Sequence, residues 1–352
     1  TFEQYLLEFQ KTYTDPKEYA ARKATFQDKL DQVLRHNADD TQSYKKGVNH
    51  FSDRTEVELQ RMRGLKSSLL YASNANKAPT LKRQVYNMSA LPASVDYRTK
   101  GILTPVKNQG ECGSCWAFAS TETLEAHWAL KTGNLWELSE QFVLDCTPNP
   151  DHCGGTGGCG GGTGELYYAS VKKNGGIPGA YTYPYLSGLG AAGKCHGTPL
   201  PPASPHHGGP MAVATVNGYT NTVSNNYESM MTTLATVGPM AISVDAGAWH
   251  DYESGVFDGG NHTNPDLDHL VQLIGYGTDE VSGKDYWLVR NSWTPLWGER
   301  GFIRLQRNGA KGQEPCGKDI TPADGNGCTG GPSVVDVCGQ NGMLYDGIYP
   351  NV

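Results

Sequence analysis

The segment "NQGECGSCWAFAS", residues 108–120, sets Cys112 and Cys115 three positions apart at the mouth of a helical pattern. A C-x-x-C spacing can serve as a redox pair, as half of a metal knuckle, or as one disulfide half beside a reactive thiol. A thiol turns nucleophilic when its thiolate is favoured, and a helix N-terminus does that through its dipole and unpaired N–H groups. Cys115 occupies such a position. For acyl transfer it would also need an imidazole as base and acid, a third group to orient that ring, and donors for a developing oxyanion.

The chain contains nine cysteines, an odd number. In an oxidising compartment eight can pair and one stays free. The sequons at Asn87 ("NMS") and Asn261 ("NHT") agree with a secretory route. At 352 residues with 38% hydrophobic and 10% aromatic content, two or three folding units are expected. There is no apolar run long enough to span a membrane. The opening "TFEQYLLEFQ" has neither an initiator Met nor a basic-then-apolar signal, so a leader has been removed or the chain trimmed.

Charge is unevenly spread. Residues 1–90 hold 15 Lys and Arg against 11 Asp and Glu, net +4, while residues 91–352 hold 14 against 25, net −11. An acidic chain without a basic patch is a poor nucleic-acid binder. Opposite charge on front and rear predicts that the two bind each other.

The elements that must position the chemistry follow from periodicity. "TFEQYLLEFQKTY" and "DPKEYAARKATFQDKLDQVLRHN" read as helices, the second with Asp15 as N-cap and Pro16 at its first position. Residues 66–90 have no period and read as an extended linker. From Ser114 to Lys131 Trp and Ala fall on several faces, which predicts a buried helix ended by Gly133. Ser139 can cap a short helix, "EQFVLDC"; "DHCGGTGGCGGGTG" is too glycine-rich for helix or strand, and "ELYYASVKKN" is again helical. After the helix "YESMMTTLATVG" come strand-like runs, "MAISVDA", "HLVQLIGYG", "DYWLVRNSW" and "GFIRLQR". Residues 311–342 read as loop. A helical half followed by an antiparallel half is an α+β arrangement with a groove between.

"NQGECGSCWAF", then "LDHLVQLIGYG" and "RNSWTPLWGERGFIRL", resembles the papain family of cysteine peptidases, of the cathepsin L-like kind. The resemblance covers most of residues 91–352 and implies an α+β fold of two lobes, helical over about 91–210 and antiparallel and barrel-like over about 211–352. It implies Cys115 as nucleophile, His269 as base and acid, Asn291 fixing the imidazole, and Trp293 screening that bond. Gln109 with the Cys115 N–H would form the oxyanion hole. Cys112–Cys159 and Cys146–Cys195 are the implied disulfides, leaving Cys115 free. Cys153, Cys316, Cys328 and Cys338 allow three further pairings. A thioredoxin-like pair would need a βαβ setting that the surrounding sequence lacks, and neither a metal nor a cofactor is implied.

Residues 1–66 resemble the matching inhibitory propeptide, through Glu18, Arg22, Phe26, Val33 and Asn37, with Lys29 where the family often has Asn. "GVNHFSD" adds Gly47, Asn49, Phe51 and Asp53. Residues 67–90 would be its extended linker, threading the cleft in reverse, with Leu65 filling the specificity pocket. Cleavage is expected between Lys82 and Leu91, with release in acid.

Substrate would pair with Gly161 and Gly162, where close backbone approach tolerates no side chain. The pocket for the second residue on the amino side of the scissile bond would be formed by Thr163, Gly164, Ser243, Leu267, Asp268, Leu270 and Asp346, with Trp293 and Trp297 nearby. Leu270 would make it shallow, for Leu or Val, and Asp346 would add Arg. Tyr97 and Thr294 replace the usual Trp and Gly, and Thr263 and Asn341 replace a usual disulfide. His127 reads as structural, and His206 and His207 as a solvated loop.

The chain is thus expected to be a monomeric zymogen of an endopeptidase acting on proteins or peptides, inhibited by its own propeptide. The alternatives are an exopeptidase or ligating variant, or a silent binding homologue.

Overall fold

A computed structural model describes residues 1–63, 87–201, 210–309, 312–325 and 327–352. Leu65, most of the linker, and His206 and His207 lie outside these residues.

The chain begins with α1, Phe2–Glu8, and α2, Pro16–Asn37, which opens where Asp15 accepts from the Lys17 N–H at 3.0 Å. Phe2, Tyr5 and Phe26 form a small aromatic core between them, the rings of Tyr5 and Phe26 lying 4.6 Å apart. A strand follows, β1, Tyr44–Lys46, and then α3, Glu56–Met62, started by a Thr55/Glu58 capping box. The strand did not figure among the helices expected for this segment. It exists because the rear of the molecule offers it an edge, with Tyr44 opposite Gly255.

Next come β2, Val95–Asp96; α4, Cys115–Thr132; α5, Glu140–Cys146; and α6, Gly164–Lys173. Every residue of α4 from Cys115 to His127 is buried. Gly133 ends that helix at φ 75°, a left-handed position suited to glycine. The later elements are β3, Gly218–Asn221; α7, Tyr227–Thr236; β4, Met240–Val244; β5, Tyr252–Phe257; and β6, His269–Thr278. They close with β7, Asp285–Arg290; β8, Phe302–Gln306; β9, Cys316–Asp319; β10, Val335–Cys338; and β11, Gly347–Asn351.

The main sheet runs β1-β5-β8-β7-β6-β4-β11-β3, with β2 added to β6. Three expectations need correcting. The sheet is open rather than barrel-like, because its end strands β1 and β3 do not pair with each other. It is not wholly antiparallel, since β5 and β8 run parallel. Residues 311–342 are not all loop: β9 and β10 form a hairpin, clamped by Cys316–Cys338. Four-residue strands flanked by Gly and Pro carry too little alternation to be read from sequence.

Two cores result. One packs α7 and the sheet around Trp249, Trp287 and Trp297, and the other packs α4, α5 and α6 around Trp116, Phe142 and Tyr167. The division near residue 210 is crossed at both ends of the peptidase portion. Val95 and Tyr97 pack on the strand core, while Ile348 packs on the helical one.

Candidate active site

Cys115 is the first residue of α4 and the free cysteine among the described residues. Cys112 is tied to Cys159 and Cys146 to Cys195. The remaining four pair as Cys153–Cys328 and Cys316–Cys338, a choice that spacing had left open. Across the groove, β6 begins with His269. Its Nε2 lies 2.9 Å from the Asn291 Oδ1, just beyond β7. The Nδ1 of the same ring makes no hydrogen bond, and His269 and Cys115 line one cavity. The indole of Trp293 stacks on this imidazole at 4.8 Å and is itself fully buried.

Gln109 is held by its neighbours. Its Oε1 accepts from the Ser292 Oγ at 2.6 Å, and its backbone N–H donates to the Ser292 carbonyl at 2.9 Å. Its Nε2 donates to the carbonyl of Met62 at 2.6 Å and to that of Cys112 at 2.9 Å. The Gln109 side-chain amide is thus occupied by a carbonyl from the front segment.

The next residue completes the cover. Arg63 is buried and lines the cavity with Cys115 and His269. Its Nε lies 2.8 Å from the Asp268 carboxylate, and its other nitrogens reach Glu56 at 2.8 Å and His250 at 3.2 Å. Burial therefore pushes the Cys115 thiol up to about 12. Burial also holds the His269 imidazole down at about 4, opposed by the Asn291 hydrogen bond and reinforced by the Arg63 charge. Burial thus favours the neutral form of both groups in the covered site.

Gly162, Thr163, Ser243, Leu267, Asp268 and Leu270 line the same cavity, as does Gly161. Thr163 also caps α6 by accepting from the Leu166 N–H at 3.4 Å. Gly162 faces Trp116 so closely that an added Cβ would lie 2.7 Å from the indole. Gly164 instead packs against Ile348, and Trp297 is fully buried with its Nε1 donating to the Trp249 carbonyl at 3.1 Å. These two do not line the cavity. Asp346 lies behind Ser243, whose Oγ donates to it at 3.1 Å, and burial with nearby Glu165 raises its carboxyl to about 8.

The front segment is held by further contacts, some internal and some to the rear part. Asn37 bonds the Lys46 backbone in both directions, its Nδ2 donating at 2.7 Å and its Oδ1 accepting at 2.9 Å. Gly47 donates to the Asp251 carbonyl at 2.8 Å, and the Asn49 Nδ2 to that of His250 at 2.7 Å. Phe51 sets its ring edge-on to Trp293 at 5.6 Å. Buried Asp53 accepts from the Tyr13 hydroxyl at 2.6 Å and pairs with Lys11. Arg22 grips Glu58 with two bonds of 2.6 Å and reaches Glu18 at 3.4 Å. Ion pairs cross to the rear part from Lys46 to Asp251 at 3.2 Å and from Arg54 to Glu111 at 2.7 Å.

The match to known families follows this geometry. Residues 91–322 match the family described as papain family cysteine protease. The chain belongs to the papain family. Residues 2–59 match the cathepsin propeptide inhibitor domain, so propeptide and protease are parts of one chain, a zymogen. The chain is 36% identical to ananain of Ananas comosus over 91% of its own length and 86% of that protein. It is 37% identical to cathepsin L1 of Drosophila melanogaster, over 86% of this chain and 79% of that one. Among solved structures it is similar to a recombinant stem bromelain precursor, with a TM-score of 0.75 and 32% identity over 100% and 97% of the two chains. It also resembles the digestive procathepsin L2 proteinase of Tenebrio molitor, TM-score 0.78, 28% identity, 100% and 98% covered.

Sequence reading missed Arg63 and His250. The imidazole of His250 stacks at 4.6 Å on the same indole that His269 stacks on. Nothing in the "WHDY" run signalled the cleft. No cluster of three or more His, Cys, Asp or Glu among the described residues could hold a metal ion, and no described helix is long and apolar enough to cross a membrane.

Proposed function

We propose that this papain-family zymogen cleaves peptide bonds with Cys115 as nucleophile and His269 as its base and acid. Asn291 orients the imidazole, and Gln109 with the Cys115 backbone N–H receives the oxyanion. The observation that carries this reading is the pair of contacts made by the two groups. His269 gives Nε2 to Asn291 and keeps Nδ1 free on the cavity it shares with Cys115. Departure of Met62 and Arg63 would return water to both groups, lower the thiol, raise the imidazole, and free the Gln109 Nε2.

Acid is the proposed trigger, since protonated carboxylates no longer attract Lys46 and Arg54. Cleavage between Lys82 and Leu91 would make release irreversible. Concentrated salt at neutral pH should have part of the same effect on the exposed pairs. The disulfides and the exposed Asn87 and Asn261 fit a glycosylated monomer in a lysosomal, vacuolar or extracellular setting.

Leu267, Leu270, Thr163 and Ser243 form an apolar-walled pocket that favours Leu or Val at the second position on the amino side. With its carboxyl raised to about 8, Asp346 is neutral in acid, so acceptance of Arg there rises with pH. The test is a peptide library hydrolysed by the acid-treated chain at pH 5 and pH 8. Cys115→Ala should abolish all cleavage, and Asp346→Ala should remove only the gain in Arg at pH 8. Hydrolysis by the Cys115→Ala chain would refute the assignment.

A further inference from the structure

The serine that opens α4 does not cap it. Ser114 is fully buried and stands just before Cys115, yet its hydroxyl accepts no N–H from the first turn of the helix, the usual task of a serine there. Its Oγ lies instead 2.9 Å from the phenol oxygen of Tyr185. The same phenol oxygen lies 2.7 Å from the backbone carbonyl of Gln109. A carbonyl only accepts, so the single Tyr185 proton goes to Gln109 and the Ser114 hydroxyl donates to the Tyr185 oxygen. Burial raises the pKa of the phenol, which keeps that proton in place.

Tyr185 is itself held. Phe118 meets its ring edge-on at 4.9 Å. The next two residues donate their N–H groups to the Oε1 of buried Gln141 on α5, Leu186 at 2.7 Å and Ser187 at 3.1 Å. The Gly188 carbonyl accepts from the Glu111 N–H at 2.8 Å. Residues 185–188 therefore run beside residues 109–111. Gly110, at φ 65°, leaves no room between them, since an added Cβ would lie 2.2 Å from the Gly188 carbonyl oxygen.

One oxygen atom thus touches the carriers of both oxyanion donors: Gln109 with its side-chain amide, and Ser114 with the Cys115 N–H that follows it. Ser292 holds Gln109 from the strand side, and Tyr185 holds it from the helical side. All of these residues belong to the protease portion, so the link does not depend on the front segment. We propose that Tyr185 is a positioning residue for peptide cleavage: its phenol sets the spacing between the Gln109 amide and the Cys115 N–H, so that both reach the developing oxyanion. The inference rests on the roles given above to Cys115 and Gln109. Without the phenol the transition state loses a well-placed donor, while substrate binding and the thiol are untouched.

The test uses the full chain activated in acid, its sites counted with a thiol-directed epoxide. The quantities measured are kcat and KM for one peptide, and the rate of alkylation by iodoacetamide, which needs the thiolate but forms no oxyanion. In Tyr185→Phe, kcat should fall about tenfold, with KM and alkylation within about twofold of wild type. In a Gln109→Ala background the same substitution should lower kcat less than about threefold, because the donor it positions is gone. An unchanged kcat in Tyr185→Phe, or alkylation falling in step with kcat, overturns the proposal while leaving the catalytic assignment standing. An unchanged kcat in Gln109→Ala overturns the oxyanion assignment and the proposal with it. If Tyr185→Phe fails to fold, Ser114→Ala decides on the same readouts: a loss of about threefold in kcat alone is expected, and no loss overturns the proposal.

Discussion

Two arginine–carboxylate pairs hold the front segment, one inside it and one between it and the protease, and they sit in opposite surroundings. Arg22 and Glu58 face each other with bonds of 2.6 Å at the surface, and those bonds hold the Glu58 carboxyl down at about 2. Arg63 and Asp268 meet at 2.8 Å in the interior, where burial raises the Asp268 carboxyl to about 8 even though Arg63 opposes it. The pH signs therefore separate. Glu58 is depressed from 4.5, so its contribution is present above 4.5 and is lost as pH falls toward 2. The charged form of the Asp268 pair is complete only above about 8 and is lost as pH falls through that value. Because docking raises the Asp268 carboxyl, its protonation accompanies docking and does not loosen it in mild acid, while the depressed Glu58 keeps the propeptide folded there. The same bond chemistry serves as a latch in one place and as a rivet in the other because water reaches only the second.

The largest expected effect comes from removing the latch. Arg63→Met removes the guanidinium that reaches Asp268, Glu56 and His250 over the cleft, and losing such hydrogen bonds to charged groups costs about 3 kcal/mol. Its full chain should hydrolyse a peptide at pH 7.5, without acid treatment, on the order of 100-fold faster than wild type; unchanged latency would break the comparison. Next in size is the pH response. Asp268→Asn, which cannot take up that proton on docking, should advance the onset of hydrolysis between pH 8 and pH 5 about tenfold further than in wild type.

Arg22→Gln tests the rivet. It should cost the propeptide about 2 kcal/mol in thermal unfolding followed by far-UV circular dichroism, and should remove the loss of stability between pH 4.5 and pH 2. The unfolding of the protease portion should not change. The smallest effect is a control. Thr294 stands at φ 72°, where a β-branched residue is strained. Thr294→Gly should raise protease stability by about 1 kcal/mol and leave both pH responses as they were.

The sequence carried the chemistry better than the cover over it. Cys115, His269 and Asn291 stood in motifs that the fold brings to one site, because each begins or directly follows an element with a strong periodic signal, while Gln109 stands in the loop before α4. The helices with caps at Asp15, Ser139 and Thr163 were legible for the same reason. β1, β9 and β10 were not, since three or four residues take their strand conformation from a partner elsewhere in the chain. Arg63 looked like one basic residue among several in "QRMRG". Its importance comes from burial against Asp268, a long-range fact. The pairing of Cys153 with Cys328 was hidden likewise, because 175 residues separate them and only the fold brings the two segments together.

The central claim, that Cys115 is a protease nucleophile silenced by residues 62 and 63, is tested most directly by labelling. The full chain is treated with a thiol-directed epoxide at pH 8 and again after acidification, and the labelled peptide is located by mass spectrometry. One adduct on Cys115 is expected, scarce before acid and stoichiometric after it. Equal labelling under both conditions, or an adduct on any other cysteine, would contradict the account.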